Sequence, residues 1–125
     1  MNRDLLWVDC TAGAVVGTVV LLLSGWLGDL YGLPQEILVG TGVANLAYAA
    51  YTFSLARRRQ RSVRRIQGLA VANILWGAVV CVGLAVVTWD TASGLGRAHF
   101  LAEAVFVAGL GVLEWRHRAS LRTAA

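Results

Sequence analysis

Nine residues constrain this chain more than any others: Arg57-Arg58-Arg59-Gln60-Arg61-Ser62-Val63-Arg64-Arg65. They hold six of the eleven basic residues and form the only long polar interruption in the sequence. Two apolar stretches lie on each side of them. Where this segment sits therefore decides where everything else sits.

What surrounds it is too apolar for a water-exposed surface. The chain is 58% hydrophobic and 14% charged, with a mean hydropathy of +0.65, against about 25% charged residues in an ordinary soluble domain. Four apolar stretches, about 5–27, 35–55, 66–89 and 97–115, each approach the ~20 residues that a helix needs to cross a bilayer core. The expected fold is all-α: a polytopic membrane protein, residues 1–125 forming a single domain with four transmembrane helices in an antiparallel bundle. Arg3 before the first apolar run resembles the start of a signal peptide. Asp9 breaks that run early and the apolar character continues to Leu27, so the run reads as a retained first span.

Charge sets the orientation. Arg3, the arginine loop, Arg116, Arg118 and Arg122 account for ten of the eleven basic residues, and Arg97 alone falls on the other side, beside Asp29, Glu36 and Asp90. By the positive-inside rule both termini and the loop are expected to be cytoplasmic, in a multi-pass protein of the inner membrane. A basic pI near 9.8 would also suit nucleic acid, but charges that flank apolar spans are an orientation signal, and no nucleic-acid partner is expected.

Several chemistries are excluded by what is missing. There is no Lys, which removes Schiff-base mechanisms. Cys10 and Cys81 form no Cys-x-x-Cys pair and read as buried, inert thiols. One Glu-x-x-His, Glu114 with His117, is half of what a di-metal bundle needs. His99 and His117 stand about 27 Å apart along a helix, too far to share one haem iron. No serine has a nucleophile-elbow setting. No cofactor, metal or catalytic set is expected.

The remaining candidates are polar groups in apolar surroundings. Asp9, Asn45, Asn73, Glu103 and Glu114 each sit within a span, where a charge near the bilayer centre costs roughly 2.5–3.5 kcal/mol and normally faces a partner. Asp9 and Asn73 fall at similar depth, Asn45 deeper, and Glu114 close to the surface. Asp9 reads either as a proton- or cation-responsive group surrounded by Asn73 and Asn45, or as a carboxyl that snorkels or bonds to a neighbouring helix. Tyr48 shares a helical stripe with Asn45 and Thr52. Trp76 lies too deep to be an interfacial anchor, so its N–H needs an acceptor inside. Gly13 and Gly17 form a GxxxG face, and Gly77 lies one turn beyond Asn73; such small residues let helix backbones approach closely in lipid. Asp9-xxx-Gly13-Ala-Val-Val recurs as Asn73-xxx-Gly77-Ala-Val-Val, 64 residues later. Such a recurrence is either a parallel repeat or a product of biased composition.

Asp9, Gly32-Leu33-Pro34, Tyr48, Asn73-Ile74-Leu75-Trp76 and Glu114-Trp115 together resemble small bacterial four-span integral membrane proteins of unassigned function. That resemblance implies a helical membrane domain and no particular activity. Small multidrug exporters are similar in size but carry a mid-span carboxylate in helix one, and the Asn and Phe motifs of fluoride channels are missing. The first expectation is a non-enzymatic accessory subunit or homo-oligomer packed through small-residue faces, with the lipid bilayer and either further copies of itself or a larger membrane complex as partners. The alternative is a small transporter or channel with a polar path around Asp9, Asn45 and Asn73.

Overall fold

The computed structural model describes residues 5–123, and all regular elements within them are helical. Arg3 and the extreme C-terminus lie outside the described residues. The helices are α1 (Leu5–Leu22), α2 (Ser24–Tyr31), α3 (Gln35–Ala56), α4 (Val63–Leu75), a π-helical turn (Trp76–Cys81), α5 (Val82–Val87), α6 (Gly94–Arg116) and α7 (Arg118–Leu121). Leu5–Leu22, Val63–Val87 and Gly94–Arg116 are each long and apolar enough to cross a membrane. Their outward faces are apolar too: Val87 is 84% exposed and Val105 76%, contacts that suit lipid and not water.

Helix α3 is as long, at 22 residues or about 33 Å, but more polar. Its polar side chains turn inward. Thr41, Asn45 and Thr52 are buried and bond the backbone carbonyls of Leu38, Thr41 and Tyr48. Bonds of this kind let a polar side chain sit in a helix without leaving a donor unmet.

The helices pair into two hairpins. In the first, α1 and α2 lie along α3. A Cβ added to Gly17 would meet Gly42 O at 2.9 Å, and one on Gly13 would meet Asn45 O at 3.2 Å. In the second, the α4–α5 rod lies along α6. There an added Cβ on Gly77 would meet Ala104 O at 2.6 Å, and one on Gly111 would meet Ala70 O at 2.6 Å. Lipid offers helices no hydrophobic drive to associate, so this backbone-level packing supplies much of the attraction. Between hairpins the backbones stay further apart, and side chains bridge the gap.

Both ends of the seam between hairpins are tied. At one end α2 runs through Tyr31, and Gly32, Leu33 and Pro34 make the turn to α3. Gly32 adopts φ 68°, its N–H and that of Leu33 both reach Gly28 O, and a Cβ there would lie 2.6 Å from Thr91 O. Only glycine serves both demands. Ser93 caps α6 and also donates from its N–H to Tyr31 O (2.7 Å) and from its hydroxyl to Leu30 O (2.9 Å).

At the other end, α4 begins at Val63, inside the arginine segment, three residues earlier than the apolar pattern indicates. Arg61 is 5% exposed, unlike its neighbours. Its guanidinium donates to Leu55 O, Ala56 O and Leu121 O at 3.1, 2.6 and 3.0 Å, and its N–H donates to Arg122 O. Burial pushes this guanidinium below its ordinary range, and the carbonyl ends of two helices compensate the charge. Leu6, Leu55, Ile66, Leu69 and Leu121 pack beneath it.

Candidate functional site

With both ends closed by apolar clusters and turns, the polar groups collect in the middle. Asn73, on the last turns of α4, is 2% exposed and uses its amide nitrogen twice. It donates to Asp9 Oδ2 at 2.7 Å and to Glu114 Oε1 at 2.8 Å. Asp9 comes from α1 and Glu114 from α6, so one amide joins three helices. Glu114 is wholly buried, and the carboxyls of Asp9 and Glu114 lie within hydrogen-bond reach of each other. Leu121 of α7 is buried as well, in the apolar cluster at that end of the bundle. Two carboxyls so placed repel strongly in a low dielectric unless a proton or a cation lies between them. Among the described residues no donor reaches the second oxygen, Glu114 Oε2.

A second carboxyl centre lies further along the seam. Asn45 Nδ2 donates to Glu103 Oε1 at 3.0 Å, and Cys81 Sγ to Glu103 Oε2 at 3.3 Å. Cys81 ends the π-helical turn, whose extra residue widens the rod just where α6 comes closest. The i, i+4 pair of His99 and Glu103 is split between partners: Tyr31 Oη stands 3.3 Å from His99 Nδ1, while Glu103 turns to Asn45. Tyr48 donates across the seam to Ala72 O at 3.2 Å, and its ring stands 5.9 Å from that of Trp76. Trp76 Nε1 is buried without an acceptor, contrary to what its depth in the sequence led one to expect.

Between these groups is a cavity of about 270 Å³. Asp9, Gly13 and Val16 of α1, Asn45 and Tyr48 of α3, Asn73 and Trp76 of the α4 rod, and His99, Glu103, Phe106 and Leu110 of α6 line it. Every helical rod contributes. All the polar residues singled out in the sequence are thus drawn to one seam. Asp9, Asn73 and Glu114 form one cluster, and Asn45, Glu103 and Cys81 form the other. Gly13, Gly17 and Gly77 lie in the tight seams within hairpins, with Gly13 also at the cavity wall.

No protein-family model, curated protein or solved structure matches this chain. The site must be read from its own chemistry. It presents carboxyl oxygens and aromatic faces, and no Lys or Arg side chain lines it. Among the described residues no group of three or more His, Cys, Asp and Glu is arranged to hold a metal ion. Cys81 donates to the Glu103 carboxyl and not to an imidazole, and it does not line the cavity.

Proposed function

We propose that the chain is a four-span, non-enzymatic protein of the inner membrane, with termini and arginine loop cytoplasmic, whose seam cavity binds a small organic cation and moves it between the two hairpins. The observation that carries this reading is one cavity walled by two carboxyl centres and by Tyr48, Trp76 and Phe106, with no fixed cation inside. Carboxylates attract a cation, and aromatic faces hold an alkylated one by cation–π attraction worth ~0.5–2 kcal/mol. Two tightly packed hairpins around a shared polar site resemble the general plan of carriers built from two halves that rock about a ligand.

The homo-oligomer or accessory-subunit reading rests on different residues. Gly13, Gly17, Gly42, Gly77 and Gly111 are filled by the chain's own helices, which leaves Gly40, Gly83 and Gly109 open on outer faces for a second chain. Mass measurement in detergent separates a monomer from an assembly, and the two readings are compatible.

The test of the cavity is calorimetric titration of the purified protein with tetraethylammonium, followed in parallel by tryptophan fluorescence. Saturable binding is expected, weakened at least tenfold in Asp9→Asn and Glu103→Gln and unchanged in Glu36→Gln, whose carboxyl is exposed outside the cavity. Equal binding in all four proteins, or none in wild type, overturns the proposal.

A further inference from the structure

A second groove lies between α3 and α4. A groove of about 420 Å³ is lined there by Ala47, Tyr48 and Tyr51 of α3 and by Gly68, Leu69 and Ala72 of α4. Its walls are almost wholly apolar and low. Gly68 is exposed, and nothing lies within 4 Å of where its Cβ would be. Unlike the glycines within hairpins, it accommodates no neighbour in this chain.

One turn before Gly68 on the same helix stand Arg64 and Arg65, both exposed. Residues 65, 68, 69 and 72 recur at the spacing of a single helix face, so the arginines cap the groove lengthwise. Tyr51, a wall of the groove, donates its hydroxyl to Arg65 O at 3.3 Å and ties the two walls together at the mouth. No acidic residue occurs between Glu36 and Asp90, so the cationic mouth has no counter-charge nearby in sequence. Arg61, the buried member of the segment, is already committed to backbone carbonyls. Among the described residues, neither Arg64 nor Arg65 has such a side-chain bond.

We propose that this groove is a binding site for one anionic phospholipid, its phosphodiester on Arg64 and Arg65 and an acyl chain lying over Gly68 between Tyr51 and Ala72. A guanidinium suits a phosphate better than an ammonium does, because its planar fork donates two parallel hydrogen bonds. Basic groups at the membrane surface gather anionic lipid in any case. What sets a site apart from that diffuse attraction is the groove, since it fixes one lipid at one place. The inference does not rest on cation binding in the other cavity.

Native mass spectrometry of the full chain in a mild detergent, titrated with dioleoylphosphatidylglycerol and with dioleoylphosphatidylcholine, tests it. Wild type should retain one phosphatidylglycerol per chain, with a preference of about tenfold over phosphatidylcholine. The double variant Arg64→Gln/Arg65→Gln should lose that preference. Gly68→Leu keeps every charge and fills the groove, and should lower phosphatidylglycerol retention about tenfold. Ala47→Leu, on the opposite wall, is the second test if Gly68→Leu loses helicity by circular dichroism. Retention by the groove-filling variant equal to wild type, or equal retention of both lipids by wild type, overturns the site and leaves only diffuse attraction.

Discussion

Asn73 donates to Asp9 across 64 residues of sequence, the same offset that relates the two Asp/Asn-xxx-Gly-Ala-Val-Val segments. The corresponding positions of the recurring segment are thus bonded to each other at the seam. Gly13 and Gly77, one turn further on in each copy, do the same job in their own hairpins: each lets a neighbouring backbone carbonyl approach, Asn45 O in one and Ala104 O in the other.

From that bond follows a stability prediction. Asn73→Leu leaves two buried carboxyl groups without their common donor and should destabilise by about 3 kcal/mol. Asp9→Asn keeps an acceptor oxygen and offers a new donor to Glu114, so it should be tolerated. Asp9→Leu combined with Asn73→Leu should cost less than the two single changes summed, by about 1–2 kcal/mol. Thermal unfolding in one detergent compares all four proteins. Strict additivity would mean that the observed bond carries no energy.

The glycines divide into two classes that one assay can separate. Gly77→Ala and Gly111→Ala force a Cβ to within 2.6 Å of a backbone oxygen, and each should cost about 1–3 kcal/mol through separation of the helices. Gly83→Ala and Gly109→Ala meet nothing within 4 Å, and should gain about 0.5–1 kcal/mol from helix propensity and a less flexible unfolded chain. Loss of stability with alanine at Gly83 or Gly109 would reveal a second chain packed on those faces.

The sequence allows the helices to be placed to within a few residues because apolar length and turn chemistry are local signals. It also singles out Asp9, Asn45, Asn73, Glu103 and Glu114, because charge and amides in apolar spans are conspicuous. Their pairing was less legible. That Asp9, Asn73 and Glu114 meet depends on how α1, α4 and α6 pack together, which no local signal in the sequence carries. Nor does any residue type announce the π-helical turn that brings Cys81 to Glu103. The burial of Arg61 was hidden for a similar reason. Six arginines in one segment look alike until the ends of α3 and α7 converge on one of them.

Topology can be tested on the contacts at that end. Arg61 N–H donates to Arg122 O at 2.7 Å and Gln60 pairs with Thr123, so the loop and the C-terminal segment are contiguous. Cysteines introduced at Ser62 and Ser120, both exposed, should therefore react with a membrane-impermeant maleimide from the same side. The positive-inside rule makes that side the cytoplasm. Native Cys10 and Cys81 are buried and should stay unlabelled. Labelling of either introduced cysteine in intact cells, before permeabilisation, would contradict the proposed orientation.

The arginines of the loop make the last prediction a controlled one. Arg59→Ala and Arg61→Ala remove the same charge from the same segment, so the orientation signal weakens equally in both. Arg59 is exposed, and its loss should change stability by less than about 0.5 kcal/mol. Arg61 satisfies the last carbonyls of α3 and holds Leu121 O. Removing it leaves buried acceptors unmet at about 1–3 kcal/mol and frees the C-terminal segment from the loop. Limited trypsin digestion should then cut at Arg116, Arg118 or Arg122 much faster in Arg61→Ala than in wild type or Arg59→Ala, with a lower midpoint of thermal unfolding in parallel. If the two variants are cleaved and melt alike, the six arginines act only as charge, and the carbonyl clamp around Arg61 contributes nothing to the fold.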